Sequence, residues 1–294
     1  MLRKIISTTF FLLIGILTLS ACANGDETAT EANNTAPTVE PTPSDEFDIP
    51  DEDLPLLDGT LFEALKSNPA VMLQLTPVAE GEELVVLHTN HGDITLRLFP
   101  DDAPIAVENF VTHARNGFYD GVIFHRVIEE FMIQGGDPDG TGMGGHSIWG
   151  ESFGLEPSFN LRHFRGALAM AHAGGAMGSQ FYIVHNSNLD PGFANEMQEI
   201  LLHQNMPMGR FEDGTRIYVR DVYTADSTAY FLENGGTPHL DWLWSQQGHT
   251  VFGHVVDGMD IVDEIAQVAV EARTHRPYED VIIETISFIT YGES

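Results

Sequence analysis

An arginine inside an apolar segment is the feature of this sequence with the clearest chemical meaning. Arg126 lies in VIFHRVI, residues 122–128, and Phe131, Met132 and Gln134 follow shortly after it. A guanidinium is always charged and presents its hydrogen-bond donors in a rigid plane. A bare charge in an apolar strand is costly unless it is paired or faces a cleft. The pattern leaves two interpretations: a buried ion pair within a core, or a fixed donor beside a dry pocket.

Histidines are a second group of side chains that could carry chemistry. The chain has 13 of them, scattered along the sequence at positions such as His88, His163 and His254. None of the spacings resembles HExxH or a comparable ligand pattern. We therefore expect no metal site, and we interpret His125, beside Arg126, as a packed and hydrogen-bonded residue.

Three longer motifs, in this order, place these residues in the context of a known family. They are FHRVIEEFMIQGGD from residue 124, GALAMAHAGGAMGSQFYI from residue 166 and GHTVFGHVVDGMDIVDEIA from residue 248. They resemble the signatures of the cyclophilins, and residues 104–128 resemble the first helix of that family and the strand after it. The resemblance extends from about residue 84 to residue 290, interrupted at 188–237. It implies an eight-stranded antiparallel barrel with two capping helices, and the activity of a peptidyl-prolyl cis–trans isomerase.

The reaction of that family explains why it needs a residue such as Arg126. Rotation about a peptide bond is opposed by a barrier of about 18–20 kcal/mol, and uncatalysed X-Pro exchange takes roughly tens to hundreds of seconds. No bond is broken, so we expect no nucleophile, metal or cofactor. The site needs an apolar pocket for the proline ring, hydrogen bonds to the backbone, and a donor aimed at the imide nitrogen. The resemblance assigns that last task to Arg126.

The resemblance also assigns the remaining residues of the site. The expected catalytic set is Arg126, Phe131, Gln134 and His249. In it, Gln134 would hold the substrate backbone and His249 would close the pocket near the proline. The expected substrate-binding positions are Met132, Ala171, His172, Ala173, Gln180, Tyr182 and Leu240. Among these, residues 171–173 would form the groove edge for the residues that precede the proline, and Gln180 would support the groove.

Three positions depart from the family pattern. His172 replaces the usual Asn, which we expect to be tolerated because the contact there is largely main-chain. Tyr182 replaces the usual Phe at the pocket floor, and its hydroxyl needs a partner. The usual Trp corresponds either to His239, which Pro238 and Asp241 favour, or to Trp244, which needs no added residues before His249. This choice leaves the binding of cyclosporin-type inhibitors open.

Short strand-like segments must position these residues. Apolar and polar residues alternate at Ile94, Leu96 and Leu98, the period of a half-buried strand. The predicted strands are residues 84–89, 93–99, 122–127, 131–135, 166–171, 180–185, 250–256 and 281–289. Eight short strands around one core favour a closed barrel over an open sheet with exposed edges. The fold class is therefore all-β, with a closed eight-stranded barrel.

Two amphipathic helices are predicted to cap this barrel. In the first, Ala106, Phe110 and Ala114 share one face and Gly117 supplies a stop. The second covers residues 257–268. The segment 188–237 fits neither pattern, and we interpret it as a long surface excursion with a short helix from residue 196 to 203.

The first residues read as an export signal. A positive start is followed by an apolar run from Ile5 to Leu19, too short to span a bilayer comfortably. Leu19-Ser20-Ala21-Cys22 then resembles a bacterial lipoprotein signal, in which the cysteine is lipidated and becomes the mature N-terminus. An ordinary secretory signal is the alternative. Because Cys22 is the only cysteine, we expect it to anchor the protein outside the cytoplasm at the bacterial cell membrane.

Composition divides the rest of the chain into two parts. Residues 22–80 are acidic and poor in apolar side chains, as expected of an extended tether. A specific cation-binding tail is the alternative, and residues 59–80 either pack on the barrel or belong to the tether. Residues 81–294 would form the isomerase domain. The formal net charge of −31 disfavours nucleic acid as a partner.

Two functions fit these observations. The first is an exported isomerase, expected to be a monomer, that assists folding by acting on proline-containing segments of unfolded proteins. The second is a binding module that holds such segments without turnover. The intact set of Arg126, Phe131, Gln134 and His249 favours catalysis. A metal-dependent hydrolase, as a third class, lacks a ligand motif.

Overall fold

The computed structural model of the protein describes residues 49–54, 56, 72–156, 158–241 and 248–293. Cys22, Trp244 and most of the predicted tether lie outside the described residues. The described part contains ten strands: β1 Glu83–Thr89, β2 Gly92–Leu98, β3 Arg126–Ile128, β4 Met132–Gly135, β5 Ala167–Ala173, β6 Ala176–Val184, β7 Pro207–Arg210, β8 Arg216–Tyr218, β9 Val251–Asp257 and β10 Ile283–Thr290. It also contains five α-helices: α1 Pro104–Arg115, α2 Pro191–Leu202, α3 Val219–Val222, α4 Ala225–Asn234 and α5 Met259–Ala266.

Eight of the described strands form one antiparallel sheet, in the order β10-β1-β2-β9-β5-β6-β4-β3. Each corresponds to one of the eight predicted strands, so the strand number and direction are confirmed. The largest difference is at 122–127, where the strand begins only at Arg126. Residues 122–125 do not extend the ladder with β4, and among them only Ile123 forms a bridge, with Ile282.

The prediction of a closed barrel was wrong. Strands β3 and β10 end the sheet and share no ladder of their own. The chain just before β3 meets the residues just before β10 at a single bridge, Ile123 to Ile282, flanked by hydrogen bonds such as that from the Phe124 N–H to the Val281 carbonyl. Because β3 has three residues, it is too short to extend this pairing. The sheet is therefore a curled half-barrel.

Two helices cover the sheet at the predicted positions. Helix α1 buries Ala106 and Phe110, and the Phe110 ring lies 5.3 Å from the ring of Phe181 inside the sheet. The Glu156 carboxylate accepts hydrogen bonds from the N–H groups of Ile105 and Ala106. These are donors that the first turn of a helix otherwise leaves without partners. The second predicted helix is α5, which buries its own apolar face.

The segment 188–237 is a folded unit rather than a loose surface excursion. It contains α2, α3, α4 and the β7–β8 hairpin, and we call it the inserted unit. Its interior includes Met197, Ile200 and Phe231, which pack with Phe159 and Phe164 from the barrel. The unit therefore has its own apolar core and uses it to attach to the barrel.

Residues just before β1 pack against the barrel. The Gln74 side chain is buried, donates to the Arg162 carbonyl and accepts from the Arg162 N–H. Arg97 on β2 donates to the carbonyls of Leu73 and Thr76. Within the segment 59–80, Gln74 thus holds part of the described residues 72–80 against the sheet.

Within the described residues, no helix combines the length and apolar character needed to cross a bilayer.

Candidate functional site

Arg126 begins β3 and faces Gln134 across the β3–β4 ladder. One guanidinium nitrogen donates to the Gln134 Oε1 at 3.2 Å, and the guanidinium carbon lies 5.8 Å from the centre of the Phe131 ring. Burial lowers the pKa of Arg126, although an arginine stays charged at neutral pH. None of the ion pairs among the described residues includes Arg126. The described residues therefore give no support to the interpretation of Arg126 as a member of a buried ion pair.

A chain of two side-chain amides fixes the orientation of this donor. The Gly144 carbonyl, which can only accept, takes a hydrogen bond from the Gln180 Nε2 at 2.8 Å. The Gln180 Oε1 must then face Gln134, and it accepts from the Gln134 Nε2 at 3.0 Å. Gln134 is left with its oxygen toward Arg126. One backbone carbonyl thus sets the direction of every bond up to the guanidinium.

The Gly144 carbonyl is held in place by a buried carboxylate. Asp137 accepts hydrogen bonds from the N–H groups of Asp139, Gly142 and Gly144, and from Thr141. Burial alone would raise the pKa of Asp137, but these hydrogen bonds lower it overall. A Cβ at Gly144 would lie 2.3 Å from the Asp137 Oδ1. Glycine is thus required for this close approach.

An apolar cluster lies beside Arg126. It contains Phe131, Met132, Tyr182 and Leu240, which are predicted to contact the proline, and Ala171 of the predicted groove edge. Met132 and Tyr182 are buried, and the other three are partly exposed. The residues come from the β3–β4 turn, β4, β5, β6 and the turn at 238–240, so the fold brings together segments far apart in sequence. The result is an apolar surface next to a fixed cation.

The hydroxyl of Tyr182 has the partner that the sequence predicted it would need. It lies 3.0 Å from the His163 Nε2, and the His163 Nδ1 lies 2.7 Å from the Asp241 Oδ1. The Tyr223 hydroxyl, in the inserted unit, donates to the Asp241 Oδ2 at 3.0 Å. Burial, and then the nearby Asp241, raise the pKa of Tyr182. The pocket floor is therefore neutral and fixed by a buried polar chain.

His249 lies against the same cluster, 5.3 Å from the Tyr182 ring. Its Nδ1 lies 3.0 Å from the Met170 carbonyl, so this nitrogen carries the proton. Burial, together with the nearby His163, lowers the pKa of His249 to about 4. Its ring is therefore neutral at neutral pH.

The predicted groove edge occupies the end of β5. Ala171 and His172 are partly exposed and Ala173 is exposed. The His172 ring lies 4.1 Å from that of His249, and its Nδ1 accepts a hydrogen bond from the Gly175 N–H. These residues therefore border the cluster on the β5 side.

The comparison with known proteins places this geometry in a family. The family model described as cyclophilin type peptidyl-prolyl cis-trans isomerase/CLD matches residues 84–288. The chain belongs to the cyclophilins. A Staphylococcus aureus (strain USA300) protein named as a peptidyl-prolyl cis-trans isomerase is 47% identical over 210 residues, which cover 71% of this chain and 93% of that protein. The chain is accordingly a peptidyl-prolyl cis–trans isomerase.

Other relatives of this cyclophilin extend the comparison. A Streptococcus pyogenes protein named as a bifunctional phosphatase/peptidyl-prolyl cis-trans isomerase is 49% identical over 205 residues, covering 69% of this chain but only 38% of that protein. Its phosphatase name therefore concerns that protein alone. A cyclophilin-type isomerase of Cryptosporidium parvum, solved in the presence of the dipeptide Ala-Pro, aligns with a TM-score of 0.50, 27% identity and coverage of 70% of this chain and 99% of that chain.

His239 is one of the two candidates for the position of the usual family Trp. The turn Pro238–Leu240 places the His239 ring 6.0 Å from the Phe131 ring, with 20° between their planes, and Leu240 packs on the pocket cluster. Trp244, the alternative, lies outside the described residues. The described geometry is consistent with the His239-Leu240 alignment.

The interpretation of His125 as a hydrogen-bonded residue was wrong. His125 is buried as expected, but neither of its ring nitrogens has a hydrogen-bond partner among the described residues. Burial lowers the pKa of His125 and outweighs the nearby Asp137 carboxylate, which alone would raise it, so the ring is neutral. Among the described residues, no three histidine, cysteine or acidic side chains form a group that could hold a metal ion.

The sequence interpretation missed the residues that support the site. His163 appeared only as one of many histidines, and Asp241 only as an alignment marker. The requirement of the Tyr182 hydroxyl for a partner was the one signal that pointed toward His163. Gly144 acts through its backbone carbonyl, which no sequence pattern identifies.

Proposed function

We propose that this cyclophilin isomerises X-Pro bonds of exported proteins on the outer side of the cell membrane, with Arg126 as the donor to the imide nitrogen. The observation that carries the proposal is that Arg126 has no described carboxylate partner and is oriented by the Gln134–Gln180–Gly144 chain beside an apolar cluster. Within the described part of the chain this preoriented cation is not neutralised and is therefore available to a substrate.

The proposed mechanism follows from that arrangement. The proline ring occupies the cluster of Phe131, Met132, Tyr182 and Leu240, and the bound substrate shields this surface from water. As the C–N bond twists, the nitrogen lone pair localises, and Arg126 donates a hydrogen bond to it. An acceleration of about 10⁵ corresponds to about 7 kcal/mol of differential stabilisation. A fixed charge in a desolvated site can supply much of this differential stabilisation.

The other predicted residues hold the substrate in place. Gln134 can bond the substrate backbone through its amide, and residues 171–173 border the path of the residues before the proline. His249, neutral because its pKa is lowered to about 4, adds no second charge that would compete with Arg126. The Ala-Pro dipeptide with which the Cryptosporidium relative was solved contains the same X-Pro unit. That likeness supports a proline-containing segment as the substrate.

The proposed mechanism is tested by an isomerisation assay on the full chain. We expect wild type to accelerate exchange of an Ala-Pro peptide, and Arg126→Ala to lower kcat/KM by about 10²–10³, the loss typical of one removed transition-state donor. The exposed Gln198→Ala on α2 is the matched control. Equal rates for wild type and Arg126→Ala would remove Arg126 from the mechanism, and no acceleration by wild type would favour the binding-module function.

The proposed location has its own test. Support comes from the apolar run before Cys22 and the lipoprotein-like sequence around it. We expect full-length wild type in the membrane fraction and Cys22→Ser in the soluble or secreted fraction. Unchanged membrane association of Cys22→Ser would count against lipidation. The monomeric state and the lack of a nucleic-acid partner stay predictions from the sequence.

A further inference from the structure

The inserted unit reaches the wall of the proline pocket through one aromatic side chain. Phe193, in the first turn of α2, places its ring 5.0 Å from the His239 ring, with 23° between the two planes. His239 in turn stacks on Phe131 at 6.0 Å and 20°. All three rings are partly exposed. A row of nearly parallel rings therefore runs from the pocket wall onto the inserted unit, and we call it the aromatic row.

The position of Phe193 relative to Phe131 is fixed by a second set of contacts. Glu130, which immediately precedes Phe131, accepts hydrogen bonds from the N–H groups of Ser187 and Asn188 at the start of the inserted unit. The Asn186 amide donates to the Glu130 carbonyl. The same β3–β4 turn that carries Phe131 is thus joined to the segment leading into α2.

The helix that carries Phe193 is itself anchored. The Asp190 carboxylate caps its first turn by accepting from the Gly192 N–H, while Met197 and Ile200 are buried in the core of the inserted unit. A capped and packed helix holds its first turn in one place. The aromatic row therefore presents a preformed surface.

The sheet order indicates which part of a substrate would meet this surface. Strand β6, which carries Tyr182, lies between β5 and β4. The groove edge at residues 171–173 is on the β5 side, whereas Phe131 is on the β4 side. A segment that approached the proline pocket along β5 and continued across the sheet would therefore leave it over Phe131 and the aromatic row.

We propose that Phe193, with His239 and Phe131, forms a subsite for the residue that follows the proline and favours an aromatic side chain there. The inference rests on the proposed function, because it uses the same pocket and chain direction. Partly exposed rings in an apolar setting offer faces and edges to a further ring, and such aromatic pairs are stabilised beyond their burial. The inserted unit thus acts as a specificity element of the isomerase.

The test compares two peptides that differ only after the proline, N-acetyl-Ala-Ala-Pro-Phe-amide and N-acetyl-Ala-Ala-Pro-Ala-amide. Isomerisation is followed by exchange NMR with full-length wild type, Phe193→Ala and Phe193→Leu, and with Gln198→Ala, an exposed change on the same helix. We expect Phe193→Ala to lower kcat/KM for the Phe peptide by about three- to tenfold. The Ala peptide should change by less than about twofold. Phe193→Leu, which keeps apolar volume without a ring, should also lose the preference.

The outcomes separate this inference from the proposed function. Equal losses on both peptides, or no loss on either, would overturn the inference, since Phe193 would then be a structural residue only. If wild type accelerates neither peptide, the proposed function fails, and calorimetric binding of the same peptides decides the inference. Tighter binding of the Phe peptide, lost in Phe193→Ala, would support it, and equal binding would overturn it. Thermal unfolding of each variant verifies that it is folded.

Discussion

At the scale of single residues, the site depends on the direction of side-chain amides. A glutamine amide can be turned either way around, and only the Gly144 carbonyl decides which end of Gln180 faces Gln134. As a result, Gln134 presents its acceptor oxygen to Arg126 rather than its NH₂ group. Among the described residues, the guanidinium is thereby oriented without a carboxylate that would neutralise it.

Replacement of Gln180 tests this chain of amides. In Gln180→Leu the Gln134 amide loses its partner and can turn its NH₂ toward Arg126. We expect kcat/KM to fall by about five- to twentyfold, which corresponds to about 1–2 kcal/mol for a hydrogen-bond network of this kind. The measurement is the exchange assay with an Ala-Pro peptide, and Gln198→Ala is the control. A change below about twofold would show that Gln134 holds its orientation without Gln180.

At the scale of elements, the sequence was most informative where packing is periodic. Alternation at Ile94, Leu96 and Leu98 predicted β2, and the apolar face of α1 predicted both the helix and its contact with the sheet. Residues 122–125 were wrongly predicted to be part of a strand, because an apolar run does not show which backbone groups will be paired. They face the residues just before β10 through one bridge instead of a ladder. Whether a sheet closes into a barrel depends on such pairing, and the periodicity of the sequence therefore led to the wrong prediction of a closed barrel.

The inserted unit is the part of the fold that its sequence predicted least well. Its polar and acidic residues resembled a surface loop, yet Met197, Ile200 and Phe231 form a core with barrel residues. Helix α2 extends over Pro191–Leu202, beginning five residues before the predicted start. A core shared between distant segments leaves only a weak local pattern. For the same reason the contact of Phe193 with His239 could not be predicted.

At the scale of the whole molecule, buried neutral histidines link stability to pH. Burial lowers the pKa of His254 to about 4, and burial together with His163 lowers that of His249 to about 4. In the unfolded chain both rings would titrate near 6.5. Between about pH 6.5 and 4 the unfolded chain therefore binds more protons than the folded one. Stability is fully present above pH 6.5 and is lost as the pH falls toward 4.

Urea unfolding between pH 7 and pH 4.5 measures this loss. We expect the free energy of unfolding to fall by about 2 kcal/mol for each of the two histidines. In His249→Phe, which removes one of the two titrating rings, the decline should be shallower. His146→Gln, a change of an exposed histidine, is the control. Parallel pH profiles for wild type and His249→Phe would contradict the assignment of this acid sensitivity to His249.

The most direct measurement for the central claim separates substrate binding from the barrier. Arg126→Lys keeps the positive charge but loses the planar pair of donors, and its kcat and KM for an Ala-Pro peptide are compared with those of wild type. If the guanidinium acts on the twisted imide, kcat falls by about 10²–10³ while KM changes by less than about threefold. An unchanged kcat with a raised KM would contradict the account, because Arg126 would then only bind the substrate.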